Sequence, residues 1–322
     1  MSVPVEWHGH RIDRALAALV PEFSRSHLQQ LLLEGAVRWR GQAAAKPSVK
    51  VQAGDRLDIE LRPTAQAHAF LPEPMPIEVV HEDEHLLVIH KPAGLVVHPA
   101  AGNWSGTLLN GLLAYHRAAA ELPRAGIVHR LDKDTSGLML VGKTRVAVDA
   151  LVRAIAAREV SRQYLALAHG PWRGAGRVDV DRPVGRDPHN RLRMAVVPSG
   201  KPARTTVVLL DAREDACLVA CRLDTGRTHQ IRVHMTALGH PLVGDPVYGG
   251  RFRIPPAASV TMVDALKTFP RQALHARFLE LDHPVTGERM GWDMKRVVAV
   301  EGDMTRTNCG VSPARIKALQ GK

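Results

Sequence analysis

The sequence predicts a small helical module followed by a larger α+β domain with mixed, mostly antiparallel sheet. Two short amphipathic stretches and two short strand signals fill roughly the first sixty residues, and a Pro- and Ala-rich interval follows. Beyond it strands outnumber helices, without the regular strand–helix alternation of a parallel fold. The 322 residues suffice for one large and one small domain, and 45% hydrophobic with 23% charged residues excludes wholesale disorder.

Taken in order, Arg11 to Val20 carries Ile12, Leu16, Leu19 and Val20 on one helical face, and Pro21 stops it. Ser24 is a good N-cap for a second helix through Leu28, Leu31 and Leu32, and Gly35 sits where it would end. Val37 to Trp39 and Arg56 to Leu61 read as short strands. These elements define a first domain at 1–62, with a linker at 63–76. A larger domain follows at 77–300, and a basic tail at 301–322. Within the large domain, Leu86 to Ile89 and Leu138 to Val141 are strands and Arg145 to Arg158 is the clearest helix, with Val148, Leu151, Val152 and Ile155 aligned. Strands dominate from Gln163 to Leu223. Thr228 can cap a helix running to Leu238, with Gly239 at its end.

A net charge of +11 points to a polyanionic partner, since phosphate neutralisation with counterion release drives binding. Composition alone leaves RNA, DNA and an anionic membrane open. The opening MSVPVEWHGHRIDRAL has no apolar core of signal-peptide type, and no later run approaches the ~20 apolar residues of a membrane span. Cys217, Cys221 and Cys309 make no disulfide framework; residues 217, 219 and 221 would share one strand face, so a buried thiol pair in a reducing compartment, the cytoplasm, is expected.

Three segments carry chemistry. In GIVHRLDKDTSGLMLVGKT, residues 126–144, a polar turn with Asp132, Asp134 and Thr135 precedes an apolar strand, a place where a carboxylate is held exposed yet rigid. Taken bare, such a pair is also a common capping device. Gly137 to Thr144 matches the phosphate-loop pattern G-x-x-x-x-G-K-S/T, but Leu-Met-Leu-Val fills the loop positions and itself reads as strand, which commits the amides a phosphate would need. In RLDTGRTHQIRVHMTALGHPLVGDPVYGG, residues 222–250, His229 and Arg232 are three apart and share a helical face, whereas the spacings of His229, His234 and His240 suit no metal site. The third is RQYLAL, residues 162–167, a strand with Tyr164 and Ala166 on one face.

Together these segments resemble the RluA-type pseudouridine synthases. HRLDKDTSG at 129–137 is similar to the family's signature around its nucleophilic aspartate, RQYLAL at 162–167 to its tyrosine motif, and TGRTHQIRVH at 225–234 to its third motif. HKPAGLVVHPAAGNWSGTLLNGLL, GHPLVGDPVYGG and RQALHARFLELDHP add matches in the family's order. RIDRALAALVPEFSRSHLQQLLLEGAVRWRGQ, ending in VQAGDRLDIEL, resembles an S4 domain, a small RNA-binding module. That match rests on pattern, because nine basic against seven acidic residues up to Arg62 is no strong excess.

The resemblance implies a pseudouridine synthase catalytic domain with a central cleft, preceded by an S4 domain. It implies Asp132 as the catalytic carboxylate, forming a covalent adduct or stabilising the opened sugar, with Arg232 paired to it. Tyr164 would pack against uracil and act in proton transfer, and Ile231 would form the opposite wall. Arg130 would fill the space left by a flipped base, while His229, Arg227 and Thr135 complete the substrate site. Arg11, Arg14, Arg25, His27, Arg38 and Arg40 are the S4 candidates for RNA contact. No cofactor and no metal are implied. The pairing of an S4 module with PRAGIVHRLDKDTSGLM implies 23S ribosomal RNA, or a large ribosomal subunit precursor, as partner, with the helix 69 stem-loop as target. No membrane and no obligatory protein partner are expected, and the chain should act as a monomer. A sister synthase acting on another ribosomal or transfer RNA site, and a non-catalytic ribosome-assembly factor, are the competing readings. The chain departs from the family at His90, where Asn usually precedes Lys-Pro, and in the tail beyond about Asp293.

Overall fold

The computed structural model describes residues 1–44, 46–62, 69–250 and 260–294. The chain divides into two units, Met1–Ala69 and Phe70–Lys322. In the first, α1 (Ile12–Leu19) and α2 (Arg25–Leu33) share one core with a three-stranded antiparallel sheet ordered β2 (Gln42–Ala43), β1 (Val37–Trp39), β3 (Leu57–Ile59). The periodic residues Ile12, Leu16, Leu28, Leu31 and Leu32 are all buried in it. The Ser24 hydroxyl accepts the His27 N–H, which satisfies one of the orphan amides at the start of α2.

Asp13 is a polar exception in that core. It is fully buried and accepts hydrogen bonds from Arg11, Arg25 and Gln29, tying α1 to α2. Burial alone would raise its pKa, but the bonds from Arg11, Arg25 and Gln29 outweigh it and hold the carboxyl far below the usual range. A depressed folded pKa means that the stabilisation is present above the unfolded value of about 3.9 and lost as pH falls below it.

The second unit contributes, in chain order, β4 (Glu78–Glu82), β5 (Leu86–Lys91), α3 (Leu108–Tyr115), β6 (Ser136–Gly142), α4 (Arg145–Ala157), β7 (Ser161–His169) and β8 (Arg177–Asp181). After these come β9 (Val184–Arg186), β10 (Met194–Val196), β11 (Arg204–Ala212), β12 (Ala216–Leu223), α5 (Gln230–Ala237), α6 (Val260–Thr268), β13 (Leu274–Asp282) and β14 (Arg289–Asp293). Nine strands form one mixed sheet, ordered β4-β5-β6-β13-β7-β12-β11-β8 with β14 on β13; β9 and β10 make a separate hairpin. Only the β6–β13 pair is parallel among the described strands. Side chains alternate as the period of two requires. Leu87, Ile89, Met139, Val141, Tyr164, Ala166, Val219 and Cys221 join Leu108 and Leu112 of α3 on one face, and Leu86, Val88, Leu138, Leu140 and Leu279 join Leu151 of α4 on the other.

β6 is buried at all seven positions and hydrogen-bonded on both edges, so the phosphate-loop look-alike is a central strand. Gly137 is needed at its start: φ is +119°, and a Cβ there would stand 2.2 Å from the Ala276 carbonyl oxygen of β13. Cys217 and Cys221 lie buried on one face of β12, their thiols pushed by burial up to about 11 and about 12; Cys309 and the expected tail at 301–322 lie outside the described residues.

Two expectations need correction. The interval read as a linker at 63–76 ends in ordered backbone, because Asn110 of α3 donates to the Leu71 carbonyl and accepts from Glu73 N–H through its own carbonyl; residues 63–68 lie outside the described residues. α5 does not start on a Thr228 cap. Its N-cap residue is His229, in the left-handed region at φ +58° with no side-chain bond, and the preceding loop is held instead by the Gln230 amide. No helix among the described residues is long and apolar enough to cross a membrane.

Replacing Asp13 by Ala is expected to cut hydrogen-exchange protection of α1 and α2 by about 1–3 kcal/mol at pH 7. The gap should narrow as pH falls below the unfolded value of about 3.9 and close only well below it, where the native carboxyl also loses its charge.

Candidate active site

The turn before β6 is fixed from below. Thr135 N–H donates to the Asp132 carbonyl at 3.1 Å, and the buried Thr135 hydroxyl accepts from Gln272. Lys91, fully buried, donates its three ammonium hydrogens to the carbonyls of Pro92 (2.7 Å), Leu95 (2.9 Å) and Lys133 (2.9 Å). Burial pulls its pKa down to about 8, against the opposing pull of Asp134 and Asp132, so it is mostly charged at neutral pH. Arg271 holds the Asp134 carbonyl at 3.2 Å. With the turn backbone anchored in this way, the Asp132 carboxylate projects free of it.

Arg232, on the first turn of α5, meets that carboxylate. Its Nη1 is 3.1 Å from Asp132 Oδ2, while Nε and Nη2 make a two-pronged bond to Asp245 at 2.7 and 2.9 Å. Asp245 is itself fixed by the Val247 and Tyr248 amides, and the bonds and charge of Arg232, outweighing burial, hold its carboxyl ionised. The guanidinium carbon also lies 4.9 Å from the centre of the Tyr248 ring. A fork committed to Asp245 fixes the plane of the guanidinium, so Nη1 meets Asp132 in a set orientation.

His229 closes the ring of contacts. Its Nε2 is 4.0 Å from Asp132 Oδ2 and its Nδ1 is 2.9 Å from the Tyr248 hydroxyl. That hydroxyl accepts the Met194 N–H at 2.8 Å, so its hydrogen is free to go to Nδ1, leaving Nε2–H turned toward Asp132. Burial lowers the His229 pKa, with Asp132 acting the other way, and the imidazole is neutral at pH 7.

A cavity of about 430 Å³ lies over this centre. All eight catalytic and substrate-binding candidates line it: Asp132, Tyr164 and Arg232, with Arg130, Ile231, His229, Arg227 and Thr135. Tyr164, on β7, and Ile231 are buried in the apolar cluster that also holds Leu131, Leu223 and Leu274. Burial raises the Tyr164 pKa, with Arg162 opposing and Asp132 adding, so the phenol stays protonated. Arg130 and Arg227 are exposed, the latter donating to the Pro202 carbonyl at 3.0 Å. Asp224 also borders the cavity but is drawn to Arg204 and Arg222.

The S4 candidates divide by partner. Arg11 and Arg25 are engaged with Asp13, and Arg40 bonds Asp55 and Gln52 while lying over Trp39. His27 stacks on Phe23 and bonds the Arg62 carbonyl. Arg14 and Arg38 are exposed and carry no ion pair among the described residues.

Sequence reasoning missed Asp245, Tyr248 and Lys91. Each sits in a segment that resembles the family, yet none of the three pairings is local: Asp245 meets Arg232 thirteen residues away, and Lys91 meets Lys133 forty-two away. The one available signal was a lone carboxylate in the otherwise apolar GHPLVGDPVYGG.

The fold and this centre are those of an RNA-modifying isomerase. Residues 85–237 match the family model of RNA pseudouridylate synthase, and the chain belongs to the pseudouridine synthases, in their RluA-type branch. Among its relatives is the ribosomal large subunit pseudouridine synthase D of Pseudomonas aeruginosa, 53% identical over 291 residues and covering 90% of each chain. The protein of that name from Neisseria meningitidis is 48% identical over 91% of this chain and 77% of its own, and that from Escherichia coli 48% over 88% and 86%. Of solved structures, human RNA pseudouridylate synthase domain containing 1 superposes with TM-score 0.56 at 25% identity, covering 78% of this chain and 98% of its own. Human RNA pseudouridylate synthase domain containing 4 gives 0.52 at 26%, covering 69% and 89%.

Asp245→Asn keeps the size of the side chain but loosens the fork on Arg232. Single-turnover conversion should fall by roughly 100-fold through misplacement of the Asp132–Arg232 pair, with RNA affinity unchanged.

Proposed function

We propose that this synthase isomerises uridines of large-subunit ribosomal RNA in the cytoplasm, at the helix 69 stem-loop, with Asp132 as the catalytic carboxylate. The observation that carries the chemistry is the half-buried Asp132 held at 3.1 Å by an arginine that Asp245 has already oriented. The RNA class is supported by the names of the relatives, and the stem-loop by the pairing of an S4-like first unit with the Asp132 signature.

The reaction runs within one nucleotide. Asp132 acts at the sugar as the C1′–N1 bond breaks, by bonding C1′ or by stabilising the opened sugar, and the bonding pair leaves with the uracil. The ring turns, C5 bonds C1′, the C5 proton departs and N1 gains one, so the product is an isomer. Arg232 keeps Asp132 aimed. Tyr164 and Ile231 clamp the ring from two sides, and the protonated Tyr164 hydroxyl serves the proton exchange. The volume and apolar walls of the cavity support a target base taken out of its stack, with Arg130 filling the gap and Arg227 at the rim for phosphate. His229 and Thr135 hold the site's shape through Tyr248 and Gln272. Residues 1–62 act as an S4 domain that adds sequence-independent phosphate contacts, and residues 77–300 are the catalytic domain.

With a helix 69 stem-loop transcript, wild-type protein should convert uridine and Asp132→Asn should leave no turnover while binding within about threefold of wild type. Loss of binding in step with turnover would make Asp132 structural. In the same titrations, replacing both Arg14 and Arg38 by Ala should reduce the salt slope by about two, one for each phosphate no longer neutralised. An unchanged slope would remove them from the RNA interface.

A further inference from the structure

One cation in the cavity takes no part in the chemistry above. Arg162 stands two residues before Tyr164 on β7, lines the cavity, and is only 5% exposed. Among the described residues its guanidinium has no hydrogen-bond or ion-pair partner, and its buried Nε is unsatisfied. The other arginines of the site differ. Arg232 is committed to two carboxylates, while Arg124, Arg130, Arg158 and Arg227 are exposed and solvated at the rim. A permanent charge this deep, without a counter-ion, is costly to the folded protein, and such a group is retained where something else uses it.

Its surroundings say what it meets. The guanidinium lies against the backbone of the loop before α5: a Cβ on Gly226 would stand 3.1 Å from Nη1. Of its titratable neighbours Tyr164 and His129, the histidine accepts the Leu140 N–H through Nε2 at 2.9 Å. Burial, reinforced by Arg162, lowers the His129 pKa to about 3, so this imidazole stays neutral and competes for no anion. The cavity that Arg162 lines is walled by Tyr164, Leu223, Ile231 and Leu274, apolar surfaces suited to a flat ring, whereas phosphates meet the exposed arginines at the rim.

We propose that Arg162 binds a carbonyl oxygen of the target uracil and stabilises the negative charge that the ring carries once the C1′–N1 bond has broken. This rests on the reading that the uracil lies against Tyr164. On cleavage the electron pair passes to N1 and spreads over O2 and O4, where Arg162 donates a hydrogen bond to one oxygen. When C5 bonds C1′ the charge is consumed, and loss of the C5 proton with protonation of N1 restores a neutral ring. The neutral substrate gains little from the cation and the anion gains much, so its effect falls on the rate rather than on affinity.

The test compares Arg162→Met and Arg162→Lys with the full-length wild type, using a large-subunit rRNA stem-loop transcript. Arg162→Met should lower the single-turnover rate by roughly 100-fold or more, leave RNA affinity within about threefold, and leave the thermal midpoint equal or higher, because an unpaired buried charge is gone. Arg162→Lys should recover at least about tenfold of the rate. A Met variant within about threefold of the wild-type rate overturns the proposal, as does a parallel loss of affinity, which would mark a phosphate contact. A lower midpoint with no recovery by Lys would make Arg162 structural and also overturns it. If the wild type itself converts no uridine, the pocket reading fails first and the inference with it.

Discussion

The contact between Arg232 Nη1 and Asp132 Oδ2 sets the constraint from which most of the second unit's architecture follows. Its two partners come from elements a hundred residues apart, a turn before β6 and the first turn of α5. An ion pair in a half-buried site gains from Coulomb attraction only if neither partner wanders, since the desolvation cost is incurred regardless. The protein removes that freedom on both sides. Asp245 fixes two of the three guanidinium nitrogens, and the ring of Tyr248 lies beside its carbon. On the other side Lys91, Arg271 and Gln272 occupy the turn's carbonyls and hydroxyl, which leaves the Asp132 carboxylate to Arg232.

The sheet serves this arrangement. β6 and β13 are the one parallel pair among the described strands, and their junction demands Gly137, where any side chain would strike the Ala276 carbonyl. That junction places the Asp132 turn beside β7, which carries Tyr164 and Arg162. Apolar alternation supplies a rigid floor for a cavity lined from the turn before β6, from β7 and from the first turn of α5. The buried, unpaired Arg162 and the left-handed His229 are two places at the cavity where the structure departs from what stability alone would select.

What the sequence made legible was local. The stripes of α1 and α2, the Ser24 cap, the strand at 138–141 and the helix at 145–158 followed from period and capping chemistry, because each is decided within a few residues. Resemblance brought together Asp132, Tyr164, Ile231 and Arg232, all of which line one cavity. Long-range pairing was not legible. Nothing in GHPLVGDPVYGG says that Asp245 grips Arg232, and nothing at Lys91 says that it caps the Lys133 carbonyl, because both depend on chain crossings that no periodicity encodes. The Thr228 cap failed for a related reason: Gln230 reaches back to Thr225 and Arg227, and so fixes the loop that a cap would otherwise define.

Isomerisation of large-subunit ribosomal RNA by Asp132, oriented by Arg232, can be checked in cells with a pseudouridine map of that RNA. The map compares cells lacking the gene with the same cells carrying either wild type or Asp132→Asn. Signals in the helix 69 stem-loop should vanish without the gene, return with wild type and stay absent with the Asn variant. A map unchanged by loss of the gene, or restored equally by both versions, would contradict the assignment of this reaction to Asp132.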